Sequence, residues 1–154
     1  MTEAITEKDR ENIERLFNDG TRMAFIIAGM GGATGTRTVP IITRMCRDMG
    51  ILTVGILTTP LLCEGRERII SALDGIGRTA ENVDALLVVN SELFMDSNIT
   101  AISSNTFTPI NDMIMTLIKD ITDIITIPGH INLDFTDVKT ILKDGGITII
   151  SRVC

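Results

Sequence analysis

The chain has no tryptophan, no tyrosine and only five phenylalanines. A core this poor in aromatics must be built from isoleucine, leucine, valine and methionine, with methionine filling irregular gaps. There is one histidine, and the three cysteines (Cys46, Cys63 and Cys154) are an odd number without metal-ligand spacing. That excludes a Cys/His zinc site and leaves reduced thiols of a cytoplasmic protein as the expectation. An excess of positive charge is also missing. The net charge is −6 and the isoelectric point near 4.7, which disfavours nucleic acid and anionic membranes as partners. No apolar run approaches the roughly eighteen residues of a membrane span, and Met1-Thr2-Glu3-Ala4 has no signal-peptide pattern. No internal repeat, low-complexity tract or charge block is visible. What remains is a 154-residue chain, 44% hydrophobic. A single domain of that size buries roughly 70% of its unfolded surface.

Apolar periodicity sets out the elements. Ile13, Leu16 and Phe17 form an i, i+3, i+4 stripe within a short helix over 7–18 that Gly20 closes. Residues 23–28 are a continuous apolar run, the kind covered on both faces in a parallel sheet. A helix over 39–49 follows, with Pro40 in its first turn and Gly50 after its end. A strand over 51–57, a helix over 66–76 and a strand over 85–89 come next. Ser91 caps a short turn. Residues 109–125 are the longest helical pattern, with Ile110, Met113, Ile114, Leu117, Ile118, Ile121 and Ile125 on one face, and Pro128-Gly129 breaks it. A helix over 135–144 and a short strand over 147–150 end the pattern. Strand–helix alternation at this spacing predicts an α/β, Rossmann-like fold, a mostly parallel sheet with helices on both faces.

The most informative stretch joins the first predicted strand to the next helix: Gly29-Met30-Gly31-Gly32-Ala33-Thr34-Gly35-Thr36. Glycines let backbone approach a ligand closely, threonines supply hydroxyls, and the following helix supplies oriented N–H groups. Together they make an anion cradle suited to nucleotide phosphates. It is not a P-loop, because Gly35-Thr36-Arg37 stands where Gly-Lys-Ser/Thr is needed. A dinucleotide-binding loop requires an acidic residue after the next strand, where Leu57-Thr58-Thr59-Pro60 stands instead. A kinase glycine loop lies between antiparallel strands, which the helix after it contradicts.

A second motif is Asn132-Leu133-Asp134-Phe135-Thr136-Asp137. Carboxylates three residues apart at a helix start share one face of its first turn. They serve either as helix caps, contributing about 0.5–2 kcal/mol, or as a pair aimed at a water or cation. Glu64 and Arg68 likewise suit an ordinary i, i+4 ion pair, Phe107 an ordinary core position, and Asn111 a solvated one.

The order of these motifs resembles the tubulin/FtsZ family. The loop Gly31-Gly32-Ala33-Thr34-Gly35-Thr36-Arg37 is similar to that family's Gly-Gly-Gly-Thr-Gly-Ser/Thr-Gly, with Ala33 and Arg37 as departures. Asn132, Asp134 and Asp137 after Pro128-Gly129 resemble its Asn-x-Asp-x-x-Asp loop, and Cys63-Glu64-Gly65-Arg66-Glu67-Arg68 also looks like the family, over about residues 6–150. Thr59, Leu61, Leu62 and Cys63 depart from it. The resemblance implies a GTPase domain of cell-division filaments that binds GTP and GDP. Residues 29–36 would hold the phosphates, Glu64 the ribose, and Arg68 would lie beside phosphates and sugar. Asn90 would touch sugar or base, Phe107 would stack on guanine, and Asn111 and Asp112 would read its edge. Asn132, Asp134 and Asp137 would face the γ-phosphate of the next subunit, orienting water and a cation, Mg2+ or K+, in the assembled protein.

The resemblance further implies self-association head to tail, other division proteins as partners through a C-terminal region, and residence in a cytoplasmic division ring without membrane insertion. Residues 1–144 would be a partial GTPase domain and 145–154 the start of the next domain, whose strand has nothing beside it to pair with. The isolated chain is expected to bind GTP weakly or not at all, without turnover. A different class of function is a non-hydrolysing module that binds or caps filaments, with Ala33 and Arg37 in its favour.

Overall fold

The computed structural model describes residues 5–94, 108–126, 137, 140 and 146–150. Its elements in chain order are α1 (Glu7–Phe17), β1 (Met23–Gly29), α2 (Ala33–Asp48), β2 (Leu52–Thr58), α3 (Arg66–Ala80), β3 (Ala85–Val89), α4 (Thr108–Thr126) and β4 (Gly146–Ile150). Short 3-10 turns at Leu62–Glu64 and Ser91–Phe94 follow β2 and β3. Thr6 starts α1 with a capping box: the Asp9 N–H donates to its hydroxyl, while its own N–H donates to the Asp9 carboxylate at 3.1 Å. The Thr6 hydrogen bonds hold the Asp9 carboxyl below the usual carboxylate range.

The four strands form one parallel sheet in the order β1-β2-β3-β4. Period-2 alternation divides their side chains between two layers. On one face Ile26, Ala28, Leu57, Leu86 and Val88 pack against Val39 of α2 and Ala72 and Ile76 of α3. On the other, Phe25, Val54, Ile56, Leu87 and Val89 pack against Ile110, Ile114 and Ile118 of α4. Covering both faces requires strands that are apolar throughout, as β2 is: Leu52, Val54, Ile56 and Leu57 are each no more than 5% exposed. Helices on both faces of a parallel sheet are the architecture the sequence predicts.

Two expectations need correction. The helix predicted over 39–49 begins at Ala33, inside the glycine-rich stretch, so Pro40 lies in its interior and Gly35 in its first turn. Loop-forming composition misleads here because the tertiary setting stabilises the early turn. Thr36 N–H bonds back to the Gly32 carbonyl at 3.4 Å, and its hydroxyl accepts from Gly31 N–H at 2.9 Å. The last strand does have a neighbour. β4 pairs in parallel with β3, Ala85 opposite Gly146 and Val89 opposite Ile150. An apolar strand finds the open edge of β3 because unpaired backbone groups there favour it.

Candidate nucleotide site

At the carboxyl ends of β1, β2 and β3, three connections converge, the usual ligand position in a parallel α/β sheet. Backbone bonds tie them together just past the strands. Met30 N–H donates to Thr58 C=O at 2.9 Å, and Thr59 N–H donates to Val89 C=O at 3.0 Å. The glycine-rich connection then divides into residues that build it and residues that face outward. Gly31 sits at φ +96°, and a Cβ there would lie 2.9 Å from the Arg68 carbonyl. Its N–H is already committed to the buried Thr36 hydroxyl. A Cβ on Gly35 would lie 2.3 Å from the Gly29 carbonyl, so only glycine lets the helix start this close to the strand end. Met30 is buried beneath α3, where its Cε would be 2.6 Å from a Cβ on Gly75.

Those residues are scaffold. The outward part is the start of α2 itself: Gly32, Ala33 and Thr34 are exposed, and Gly32 at the N-cap offers no side chain to the first turn. The first N–H groups of a helix have no partner within it, and α2 has no acidic residue in its first turn to use them. Positive helix dipole, open N–H groups and the Thr34 hydroxyl therefore meet at one exposed point, chemistry that selects an anion.

The second connection carries Glu64 and Arg68. Glu64 accepts from Leu61 N–H at 2.8 Å through Oε1 and pairs with Arg68 Nη1 at 2.5 Å through Oε2. The i, i+4 pair is therefore formed, and each carboxylate oxygen retains a further lone pair for a hydroxyl donor. The close approach of Arg68 C=O to Gly31 places the first turn of α3 against the glycine-rich loop. In the third connection, Asn90 Oδ1 accepts from the Thr59 hydroxyl at 3.3 Å and from Glu92 N–H at 3.1 Å. With its oxygen held inward, its NH2 group is the part left to donate to a ligand.

Four residues have roles here that sequence reasoning did not assign. Ser91 donates its hydroxyl to Thr59 C=O at 2.5 Å, and Glu92 Oε1 takes Leu62 N–H at 2.5 Å, fastening the second connection to the third. Thr59, which the sequence presents only as a departure from a family pattern, is the hub of this network. Gly75 also went unnoticed, although a helix-interior glycine is itself a signal of close packing. Asn111 and Asp112 are exposed near the start of α4, next to Ile110, which packs with Val89 at the end of β3. Asp137 is helical and exposed. Phe107, Asn132 and Asp134 lie outside the described residues.

Residues 1–98 match the family model of the Tubulin/FtsZ family, GTPase domain. The cell division protein FtsZ of Porphyromonas gingivalis is 45% identical over 150 residues, covering 94% of this chain and 32% of that protein. FtsZ of Pseudomonas aeruginosa is 39% identical over 152 residues, covering 96% of this chain and 37% of that one. Among solved structures, an empty FtsZ dimer from M. jannaschii superposes with a TM-score of 0.79 at 30% identity, over 92% of this chain and 42% of that one. The chain thus spans about a third of the length of the curated relatives it matches. On the match over residues 1–98, the fold and the loop geometry together, the chain belongs to the tubulin/FtsZ family.

Proposed function

We propose that this chain is the nucleotide-holding part of a cytoplasmic cell-division GTPase that polymerises head to tail, each subunit completing the site of its neighbour. The observation that carries this reading is the exposed start of α2 on a loop whose Met30 and Gly31 N–H groups and Thr36 hydroxyl are already used. GTP is the substrate. The N–H groups of residues 32–35 and the Thr34 hydroxyl donate to its phosphate oxygens, and Thr36 and Gly31 hold the donors in place beforehand. Such preorganisation means the donors need not reorient as charge shifts onto phosphate oxygens during hydrolysis. Glu64 accepts from the ribose hydroxyls, with Arg68 steadying its carboxylate. Asn90 donates to the sugar or base. Phe107 stacks on guanine, while Asn111 and Asp112 accept from its N–H donors.

Asn132, Asp134 and Asp137 belong to the facing subunit's site, where the carboxylates orient the attacking water in line with the γ-phosphate. The chain path supports that division of labour. α4 begins beside Val89 at the loop end of the sheet, and β4, shortly after Asp137, begins opposite Ala85 at the other end. Heterologous contacts of this kind give open filaments rather than closed pairs. Among the described residues no three His, Cys, Asp or Glu side chains cluster to hold a metal. A cation, Mg2+ or K+, would offset phosphate charge in the assembled site. Other division proteins join as partners of the assembled filament. Alone, a chain that spans about a third of its relatives' length binds GTP weakly, in the millimolar range (about −4 kcal/mol), and turns none over.

Complementation between two inactive full-length variants tests the shared site. Gly32→Asp places a carboxylate at the α2 N-cap, where nothing lies within 4 Å to obstruct it. It caps the helix and occupies the anion position itself. Asp137→Ala removes the acidic contribution instead. Mixed in equal amounts, the two recover about a quarter of wild-type turnover, because random stacking makes that share of interfaces whole. A mixture as inactive as its components would contradict the shared site.

A further inference from the structure

A cavity of about 700 Å3 opens at the opposite end of α2, between α1 and the C-terminal end of α3. Arg10, Arg44, Arg47 and Arg78 line it, against two carboxylates, Asp48 and Glu81. Four of the 14 cationic side chains thus gather at one concavity of a chain whose net charge is −6. Their internal pairing is weak. Arg44 and Arg47 share Asp48 at 4.0 Å each, and Arg78 reaches Asp74 at 3.7 Å, all with side chains more than half exposed. Exposed pairs of this kind exchange readily for a better partner. Arg10 has no ion-pair partner among the described residues.

Helix-end charge compensation accounts for Arg47 and Arg78, which stand in the last turns of α2 and α3. It does not account for Arg10, near the start of α1, or for the convergence of all four. Arg47 is also fixed in place: its Nη1 donates to the Glu81 carbonyl at 2.8 Å, which leaves its other N–H groups aimed elsewhere. Beneath the cationic rim the floor is apolar, with Pro40 and Met45 buried and Ile41 half-buried. Asn82 donates its amide N–H to Arg78 C=O at 2.8 Å, so its oxygen is the atom left to accept.

We propose that this groove is a docking site for an acidic peptide segment of a partner protein, one in which carboxylates alternate with apolar side chains. The arginine forks pair with carboxylates, the apolar side chains cover the floor, and Asn82 Oδ1 receives a backbone N–H of the segment. A free phosphate or nucleotide would leave the floor uncovered, which favours the peptide. The site is separate from the α2 N-terminus: Pro40, the first α2 residue to line it, stands seven residues, about 10 Å, beyond Ala33.

The probe is a fluorescein-labelled twelve-residue peptide of alternating Glu and Leu, titrated with the chain at low salt and followed by fluorescence anisotropy. Saturable binding is expected, with Kd on the order of 100 μM and a marked loss on adding salt. The Arg44→Glu/Arg78→Glu double variant weakens it about tenfold or more, and Arg66→Glu, outside the groove, leaves it unchanged. If charge reversal unfolds the chain, Arg44→Gln/Arg78→Gln gives the same direction with a smaller loss. An alternating Glu–Ser peptide of equal charge binds several-fold more weakly, because the floor stays uncovered. Absence of saturable binding, equal binding of the Glu–Ser peptide, indifference to both arginine pairs, or full competition by tripolyphosphate would each overturn the proposal.

Discussion

The two ends of α2 deal with anions by opposite means. At its N-terminus no charged side chain stands in the first turn, and the attraction comes from backbone N–H groups held on a glycine-built loop. At its C-terminus the backbone presents carbonyls, the wrong sign for an anion, and arginine side chains reverse it. Backbone donors need close approach and fixed geometry, so their site is intolerant of added atoms. Guanidinium groups on long stems need neither, so their site tolerates change atom by atom and depends on total charge. The contrast teaches which substitutions break a site by sterics and which only by electrostatics.

The largest effects are expected at the glycines that fit the loop to its surroundings. Gly35→Ala drives a Cβ into the Gly29 carbonyl and Gly75→Ala drives one into Met30 and Thr36, each costing about 1–3 kcal/mol or more in urea unfolding. Gly32→Ala meets nothing within 4 Å and keeps stability within about 0.5 kcal/mol. Equal losses at all three positions would erase the division between scaffold and donor.

Next come the threonines. Thr36→Val removes the acceptor of Gly31 N–H and costs about 1–3 kcal/mol. Thr34→Val leaves stability nearly unchanged, because its side chain is exposed, and instead weakens nucleotide binding in the full-length protein several-fold.

Much of this was legible in the sequence. Apolar runs and periodicity located the helices and strands, since burial on both faces of a sheet leaves no other pattern for β1, β2 and β3. The glycine-rich stretch marked its own chemistry. The early start of α2 was not legible, because glycine and threonine have poor intrinsic helix propensity and the bonds that favour the turn come from tertiary packing. Nor was the Thr59–Asn90–Ser91–Glu92 network, in which Thr59 is about thirty residues from the other three in sequence and meets them only because β2 and β3 are neighbours. The arginine groove was invisible for the same reason: its residues come from three helices.

Smaller effects sharpen the other end of the helix. Arg47→Ala gives up a bond to the Glu81 carbonyl and a favourable charge at a helix C-terminus, about 0.3–1 kcal/mol, read as a shift in the urea midpoint. In acid, the α1 capping box weakens as pH falls through the Asp9 pKa. That pKa lies below its unfolded value, so its contribution is complete above the ordinary carboxylate range and lost beneath it; amide exchange at Asp9 and Arg10 reports the fraying. The smallest change is chemical. Iodoacetamide labels exposed Cys63 quickly and Cys46 only after unfolding, because burial pushes the Cys46 thiol up and blocks access.

The most direct measurement is an NMR titration of the 15N-labelled chain with GTP to about 10 mM, which detects millimolar affinity. The account predicts progressive shifts in the backbone amides of Gly32, Ala33, Thr34 and Gly35, with those of Arg44, Arg47 and Arg78 unmoved. Amides at the start of α2 that stay in place, or shifts confined to the arginine groove, would contradict it.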